Sequence, residues 1–211
     1  MTPRDGNLVE TVKLLGNVAG QQASNQRALA RQIGISVGLV NALVHRAVHK
    51  GLIKIKEAPA RRYAYYLTPK GFAEKSRLVA EYLDHSLTFF RTARQEYGDV
   101  FAHCEAVGRK RIVLCGAGEL AEIATLAANG GGVEIVGVLD RETNHVHVAG
   151  LPVVRDIAAL AADDVLVITD GRKPQELYEA LVDAVGQERV HAPPFLRIAP
   201  RLSHAADGAR R

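Results

Sequence analysis

The segment Gly116-Ala117-Gly118-Glu119-Leu120-Ala121 is where this 211-residue sequence most plainly offers chemistry. It follows directly on the apolar run Arg111-Ile112-Val113-Leu114-Cys115, and Asp140 closes a second apolar run 24 residues after Gly116. A glycine at the first position permits a tight turn, and one at the third lets backbone approach a phosphate. The helix that follows turns unpaired N–H groups toward the anion. An acid at the end of the second strand can accept hydrogen bonds from ribose hydroxyls. Gly116, Ala117, Gly118, Glu119, Leu120, Asp140 and the adjoining Arg141 are therefore candidate nucleotide-binding residues, with Ala121 in place of the third glycine. Asp170 joins them, because Thr169-Asp170-Gly171-Arg172 follows the apolar Val165–Ile168 run at a strand end, where open α/β sheets take their ligands. Arg172 and Lys173 are cations that can touch a phosphate or equally stand solvated at a helix start.

A second constellation lies near the front. Ser36 can cap a helix from about Val37 to His49, with Val40, Val44, Ala47 and Val48 as its inner face and Gly51 as its stop. Its outer face carries Ser36, Gly38, Asn41, Ala42 and His45, small or hydrogen-bonding residues of the kind that enter a DNA major groove. Asn41 can read an adenine edge, and Gly38 and Ala42 allow close approach. Lys54, Lys56, Arg61 and Arg62 flank a Pro-containing tip at 57–60, where cations would meet phosphates.

The elements that must position these residues follow from periodicity. A helix over 8–15, a second from Asn25 to Ile33 capped by Ser24, the turn at Gly34 and the helix from Val37 form a helix-turn-helix pattern. The strands 52–56 and 61–67 form a hairpin after it. Thr68 can cap, and Pro69 open, a long helix running toward Ala106. Its heptad-spaced rows Phe72, Val79, Ser86, Ala93, Val100 and Ser76, Leu83, Phe90, Tyr97, Cys104 make an interrupted apolar seam. A homodimer through the 69–107 helix is expected, with packing on the chain's own rear domain as the alternative. Behind it, strands at 111–115, 133–139, 149–154, 165–170 and 189–191 and helices at 119–128 and 174–185 suit one parallel α/β sheet.

Charge divides the same way. Residues 1–70 hold 11 Lys and Arg against 3 Asp and Glu, a net of +8, whereas residues 111–211 hold 10 against 14, a net of −4. Only the front is suited to meet a polyanion. No apolar run reaches the length of a membrane span, no N-terminal leader is evident and two cysteines build no disulfide framework, so a cytoplasmic protein without membrane contact is expected.

The Ile35–Asn41 stretch, Lys50-Gly51-Leu52-Ile53, and the run from Tyr63 through Leu67-Thr68-Pro69-Lys70-Gly71 to Lys75 resemble the MarR-type winged-helix regulators associated with bacterial exopolysaccharide operons, over about residues 8–97. In the rear, Val136–Asp140, Ala149–Val154 and Val190–Leu196 are similar to the nucleotide-binding Rossmann domain of polysaccharide nucleotide-sugar dehydratases and sugar acyltransferases. The overall layout is also similar to Rex-type redox repressors. These resemblances imply an α/β chain of four parts. They are a winged helix-turn-helix domain (1–68), a linker and dimerisation helix (69–107), a Rossmann-like nucleotide-binding domain (108–200) and a tail (201–211).

The function expected is DNA-binding transcription regulation, with double-stranded DNA and a small nucleotide as partners. A nucleotide-sugar is the first choice of ligand and NAD(H) the second, and genes of polysaccharide biosynthesis are the expected targets. A redox repressor, a nucleotide-sugar-modifying enzyme fragment, and a Rossmann-like domain that has lost its ligand remain alternatives. No Ser/His/Asp, Cys/His or paired-carboxylate pattern stands out, and His145-x-His147 alone makes no metal site. Cys104 and Cys115 read as buried apolar residues. No catalytic or metal residues are expected, and the chain reads as a binding protein rather than an enzyme.

Overall fold

The computed structural model describes residues 3–20, 25–58 and 62–199. The chain mixes helix and sheet and falls into two compact units, residues 1–87 and 88–211, with the division inside one long helix rather than at either of its ends.

The first unit begins with α1 (Pro3–Ala19), α2 (Gln26–Ile33) and α3 (Val37–His49). The side chain of Asn25 accepts a hydrogen bond from Ala28 N at 2.8 Å and so caps α2, the role expected of Ser24, which lies outside the described residues. Asparagine is as good a cap as serine, and the helix simply starts one residue later. Gly34 ends α2 in the left-handed region at φ 81°, and Ser36 caps α3 through Leu39 N. Leu29, Ala30 and Ile33 of α2 and Val40, Leu43, Val44 and Ala47 of α3 close on Leu14, Leu15 and Val18 of α1. Val48 sits at the margin of this core, and Leu43 takes a full place in it.

Strands β1 (Ile53–Ala58) and β2 (Arg62–Leu67) pair antiparallel, Ile53 opposite Leu67 and Lys54 opposite Tyr66. Alternation puts Ile53 and Tyr65 into the core and leaves Lys54, Lys56 and Tyr66 exposed. Helix-turn-helix followed by hairpin is the element order of a winged helix.

Helix α4 (Pro69–Ala106) has the expected span. Thr68 fastens its start: the hydroxyl donates to Gly51 O at 2.7 Å and accepts from Gly71 N at 3.0 Å. Gly71 has no alternative, because a Cβ there would stand 2.1 Å from Leu52 O.

The second unit is a six-stranded sheet in the order β5-β6-β4-β3-β7-β8. Its strands are β3 (Arg111–Cys115), β4 (Glu134–Leu139), β5 (His147–Val148), β6 (Leu151–Val154), β7 (Val165–Ile168) and β8 (Val190–His191). All neighbours run parallel except β5 against β6, whose tight turn takes Ala149 and Gly150 out of the strand expected over 149–154. Helices α5 (Glu119–Ala128) and α6 (Pro174–Val185) cover opposite faces. On the α5 face, Tyr97, Phe101 and Cys104 of α4 pack with Ile112, Leu114, Ala121 and Ala124. On the α6 face, Val113, Cys115, Leu166 and Ile168 meet Tyr178 and Leu181. This is the layering of an open parallel α/β sheet. Both cysteines are buried and unpaired.

The seam expected to run the length of α4 therefore divides. Tyr97 and Cys104 are spent on the second unit's own core, because that sheet needs a helix on this face. Residues 82–89 are all exposed, with Tyr82, Leu83, Leu87 and Phe89 among them. Among the described residues no single helix is long and apolar enough to cross a membrane.

Candidate functional site

The first strand of the sheet, β3, lies at its centre. The chain moves to one side through β4 and β6, then returns to the other through β7 and β8. A crevice at the carboxyl ends of the strands is required where the direction reverses, between β3 and β7. The Gly116 turn leaves β3 at that point.

Gly116 adopts φ 117°, and a Cβ on it would lie 2.7 Å from Asp170 N and 2.9 Å from Asp170 Cα. Two independent constraints thus demand glycine here: left-handed backbone and the close approach of the β7 end. The turn is stitched to both neighbouring strands. Gly116 N donates to Leu139 O at 3.0 Å, and the Thr169 hydroxyl donates to Gly116 O at 2.7 Å. Gly118 is different. It stands at the N-cap of α5 in extended backbone, no side chain caps the helix, and its missing Cβ would project into open space. A side chain there would occupy the cradle that the turn leaves beside the first N–H groups of α5.

A cleft of about 650 Å³ opens at this point. Gly116, Ala117, Gly118, Glu119, Leu120, Asp140 and Asp170 all line it, so the sequence-derived candidates converge. Arg141 lies on an adjoining groove instead. Glu142, Thr143, His145, Thr169, Gly171 and Arg172 complete the cleft's wall. Of these, Thr143 carries no spacing signal and His145 only the His145-x-His147 spacing, which points to no anion; both belong to an irregular loop that Asp140 helps hold. Loops that carry function on a rigid scaffold commonly escape periodicity arguments.

Asp140 does more than face the cleft. One carboxylate oxygen accepts from Ala117 N at 2.8 Å, and the other from Glu142 N at 2.8 Å and Thr143 N at 2.9 Å. Burial opposes its ionisation, but these three amides, helped by Arg172, outweigh burial and hold the carboxyl below its ordinary range. The expected acceptor of ribose hydroxyls is thus also the brace between the glycine turn and the 141–143 loop. Asp170 plays a parallel part on the other side, accepting from Arg172 N at 2.6 Å.

Four carboxylates, from Glu119, Asp140, Glu142 and Asp170, line the cleft beside Arg172 and His145. With so many carboxylates at hand, an anion in this cleft would have to be held by backbone N–H groups rather than by net charge. Among the described residues no group of three or more His, Cys, Asp or Glu is placed to hold a metal ion.

In the first unit, Ser36, Gly38, Asn41, Ala42 and His45 all lie exposed along α3. Gln26 of α2 joins them, its amide donating to Asn41 Oδ1 at 3.2 Å. The Lys56 ammonium stands 5.7 Å from the Tyr66 ring centre. Lys54 and Lys56 share the exposed face of the hairpin. Arg61 lies outside the described residues, and Arg62 is placed by its backbone alone, opposite Ala58.

No model of a known protein family matches the chain, and no curated protein matches it. Among solved structures it is similar to MepR, a transcription regulator of the Staphylococcus aureus multidrug efflux pump MepA, at 23% identity and a TM-score of 0.33. That likeness covers 38% of this chain and 61% of MepR, so the chain spans less than two thirds of that protein's length.

Proposed function

We propose that this protein is a homodimeric, DNA-binding transcription regulator whose second unit is a Rossmann-like sensor of a nucleotide. The observation that carries the reading is the exposed face of α3, where Ser36, Asn41 and His45 stand clear of the core, together with the exposed lysines of the hairpin. Small and hydrogen-bonding residues on a helix read base edges, and flanking cations meet phosphates. The net charge of +8 on residues 1–70 supplies the attraction. The exposed Tyr82, Leu83 and Leu87 of α4 support pairing of two copies, since large apolar side chains on a solvated helix are stabilised by covering them.

A nucleotide-sugar is the favoured ligand, and polysaccharide biosynthesis genes the favoured targets, on the resemblances of both halves. The polar, carboxylate-lined cleft beside Gly118 supports this by matching the hydroxyls of a sugar or ribose. NAD(H) is the second reading, favoured by the central position of β3 and by Asp140 at the end of β4. We read the chain as a binding protein and not as an enzyme.

The test is fluorescence anisotropy of the full chain on labelled duplex DNA, with and without UDP-glucose, GDP-mannose, NAD and NADH. DNA binding with a strong salt dependence, altered by one of these nucleotides, is expected. Binding to DNA that none of them alters, together with no calorimetric signal, sinks the sensor reading. Failure to bind any duplex sinks the regulator reading.

A further inference from the structure

The crossover from β6 to β7 is short. Between Arg155 and Asp164 it forms a single 3-10 turn, Ile157–Ala159, whereas parallel strands are usually joined through a full helix. The missing helix leaves part of α6 uncovered. Leu177, Ala180, Leu181 and Ala184 follow one another at helical spacing and, with Ile157 and Leu139, line a groove of about 570 Å³. Those four positions of α6 extend about 10 Å along the helix axis.

The groove is continuous with the nucleotide cleft, since Gly116, Asp140, Asp170 and Arg172 border both. Its floor is apolar, but its mouth is charged. Arg141, Arg172 and Lys173 stand there with Glu142 and Glu176. The carboxylates of Asp140 and Asp170 are engaged with backbone N–H groups, and Glu176 with Lys173 at 2.9 Å. Arg172 pairs with Asp170, Nε to Oδ1 at 4.0 Å, so Arg141 is the cation at the mouth that can complement an anion. A sugar placed on such a floor would lose its water without gaining hydrogen bonds, which is unfavourable. An apolar group would be stabilised in proportion to the area it buries.

We propose that this groove receives the apolar part of a ligand whose phosphate sits at the Gly118–Leu120 end of the turn, where no side chain caps α5, the class being a phosphate or pyrophosphate ester of an extended apolar group. The inference rests on reading that turn as an anion site. Ala180 and Ala184 are exposed, so enlarging them narrows the groove without touching the core.

The experiment is calorimetric titration of the full chain, wild type and the variants Ala180→Trp and Ala184→Trp, with geranyl pyrophosphate, NAD and inorganic pyrophosphate. Wild type is expected to bind geranyl pyrophosphate at least about 10-fold more tightly than pyrophosphate, as burial of a few methylene groups implies. Both variants are expected to lose that advantage while binding pyrophosphate unchanged. No advantage in the wild type, or an advantage that survives both variants, overturns the inference. If NAD binds in that case, equally in all three proteins, the nucleotide reading stands without it. If none of the three probes binds, the anion site falls and the groove proposal falls with it. Loss of NAD binding alone in the variants, with no gain from the geranyl group, assigns the groove to a nucleotide base and overturns the extended-chain class.

Discussion

The Tyr97 hydroxyl donates to the carbonyl oxygen of Ile168 at 3.0 Å, and Tyr97 is wholly buried. Burial pushes its phenol pKa well up, so the group stays a neutral donor. Ile168 is the last residue of β7, directly before Thr169 and Asp170, which hold the glycine turn. The rear half of α4 is thereby bonded to the strand end that shapes the cleft. Phe195 packs edge-on against Tyr97, and its backbone N–H donates to Glu96. Tyr97→Phe keeps the packing and leaves a buried carbonyl unpaired, which is expected to cost ~1–2 kcal/mol. Urea denaturation followed through the second unit checks it, and a loss under ~0.3 kcal/mol would contradict the bond's importance.

The two glycines of the turn separate folding from binding. Gly116→Ala meets both a left-handed backbone and the Asp170 main chain, and a loss of ~3 kcal/mol in stability is expected. Gly118→Ala has open space and extended backbone, so its stability is expected within ~0.5 kcal/mol of wild type. Its added methyl group enters the cradle, however, and titration with UDP-glucose and NAD is expected to show weakened binding. Equal stability loss in the two variants would mean that the turn is misassigned.

On the hairpin, Lys54→Ala with Lys56→Ala is expected to weaken binding to all duplexes alike. The slope of log K against log salt should fall by about 1.8, or 0.9 per phosphate contact removed. An unchanged slope in anisotropy titrations at several salt concentrations would remove the hairpin from the interface. The companion pair Arg61→Ala with Arg62→Ala is expected to act in the same direction.

For self-association, Leu83→Glu with Leu87→Glu is expected to convert a dimer to a monomer in light scattering, because both residues lie exposed on α4 four positions apart. A dimer that survives the double change places the contact elsewhere.

Acid should loosen the second unit through His191. Its ring centre is 5.9 Å from that of His103. Burial first, then His103 and Arg109, push its pKa below the ordinary value of 6.5. The folded state thus prefers neutral imidazole, and the unfolded chain takes up the proton first. Stability is full above the unfolded value near 6.5, falls as pH drops from there through the folded value, and levels off below it. His191→Gln should flatten that part of the pH profile, and a profile identical to wild type between about pH 7 and 5 would refute the assignment.

Much of this architecture was legible because it rests on periodicity and caps. The runs at 111–115 and 165–168 are buried on both faces, so they read as uninterrupted apolar segments. Pro174 and Gly186 bracket α6 where the helix begins and ends. The glycine turn was legible for a different reason, since left-handed backbone and a near neighbour leave only one residue type at Gly116. Tyr97 and Cys104 were less transparent. Their heptad spacing states that one face of α4 is covered, but not by what, and the cover proved to be the chain's own sheet. The constraint on Gly71 is tertiary, the approach of Leu52 O, and local sequence holds no trace of it. Thr143 and His145 follow an Asx-type turn, with the Asp140 carboxylate accepting from Glu142 N and Thr143 N, and hydrophobic periodicity does not register such a turn.

That brace has a consequence for how such a site can change over evolutionary time. Asp140 ties Ala117, Glu142 and Thr143 together through one carboxylate. A substitution there made to admit a different ligand would release both loops at once, so preference and order would be lost together. On the nucleotide reading, ligand preference is free to change through the side chains of Arg141 and His145, which border the cleft and its adjoining groove but make none of the bracing hydrogen bonds. The acid at 140 is the fixed hinge-pin around which those neighbours can be exchanged.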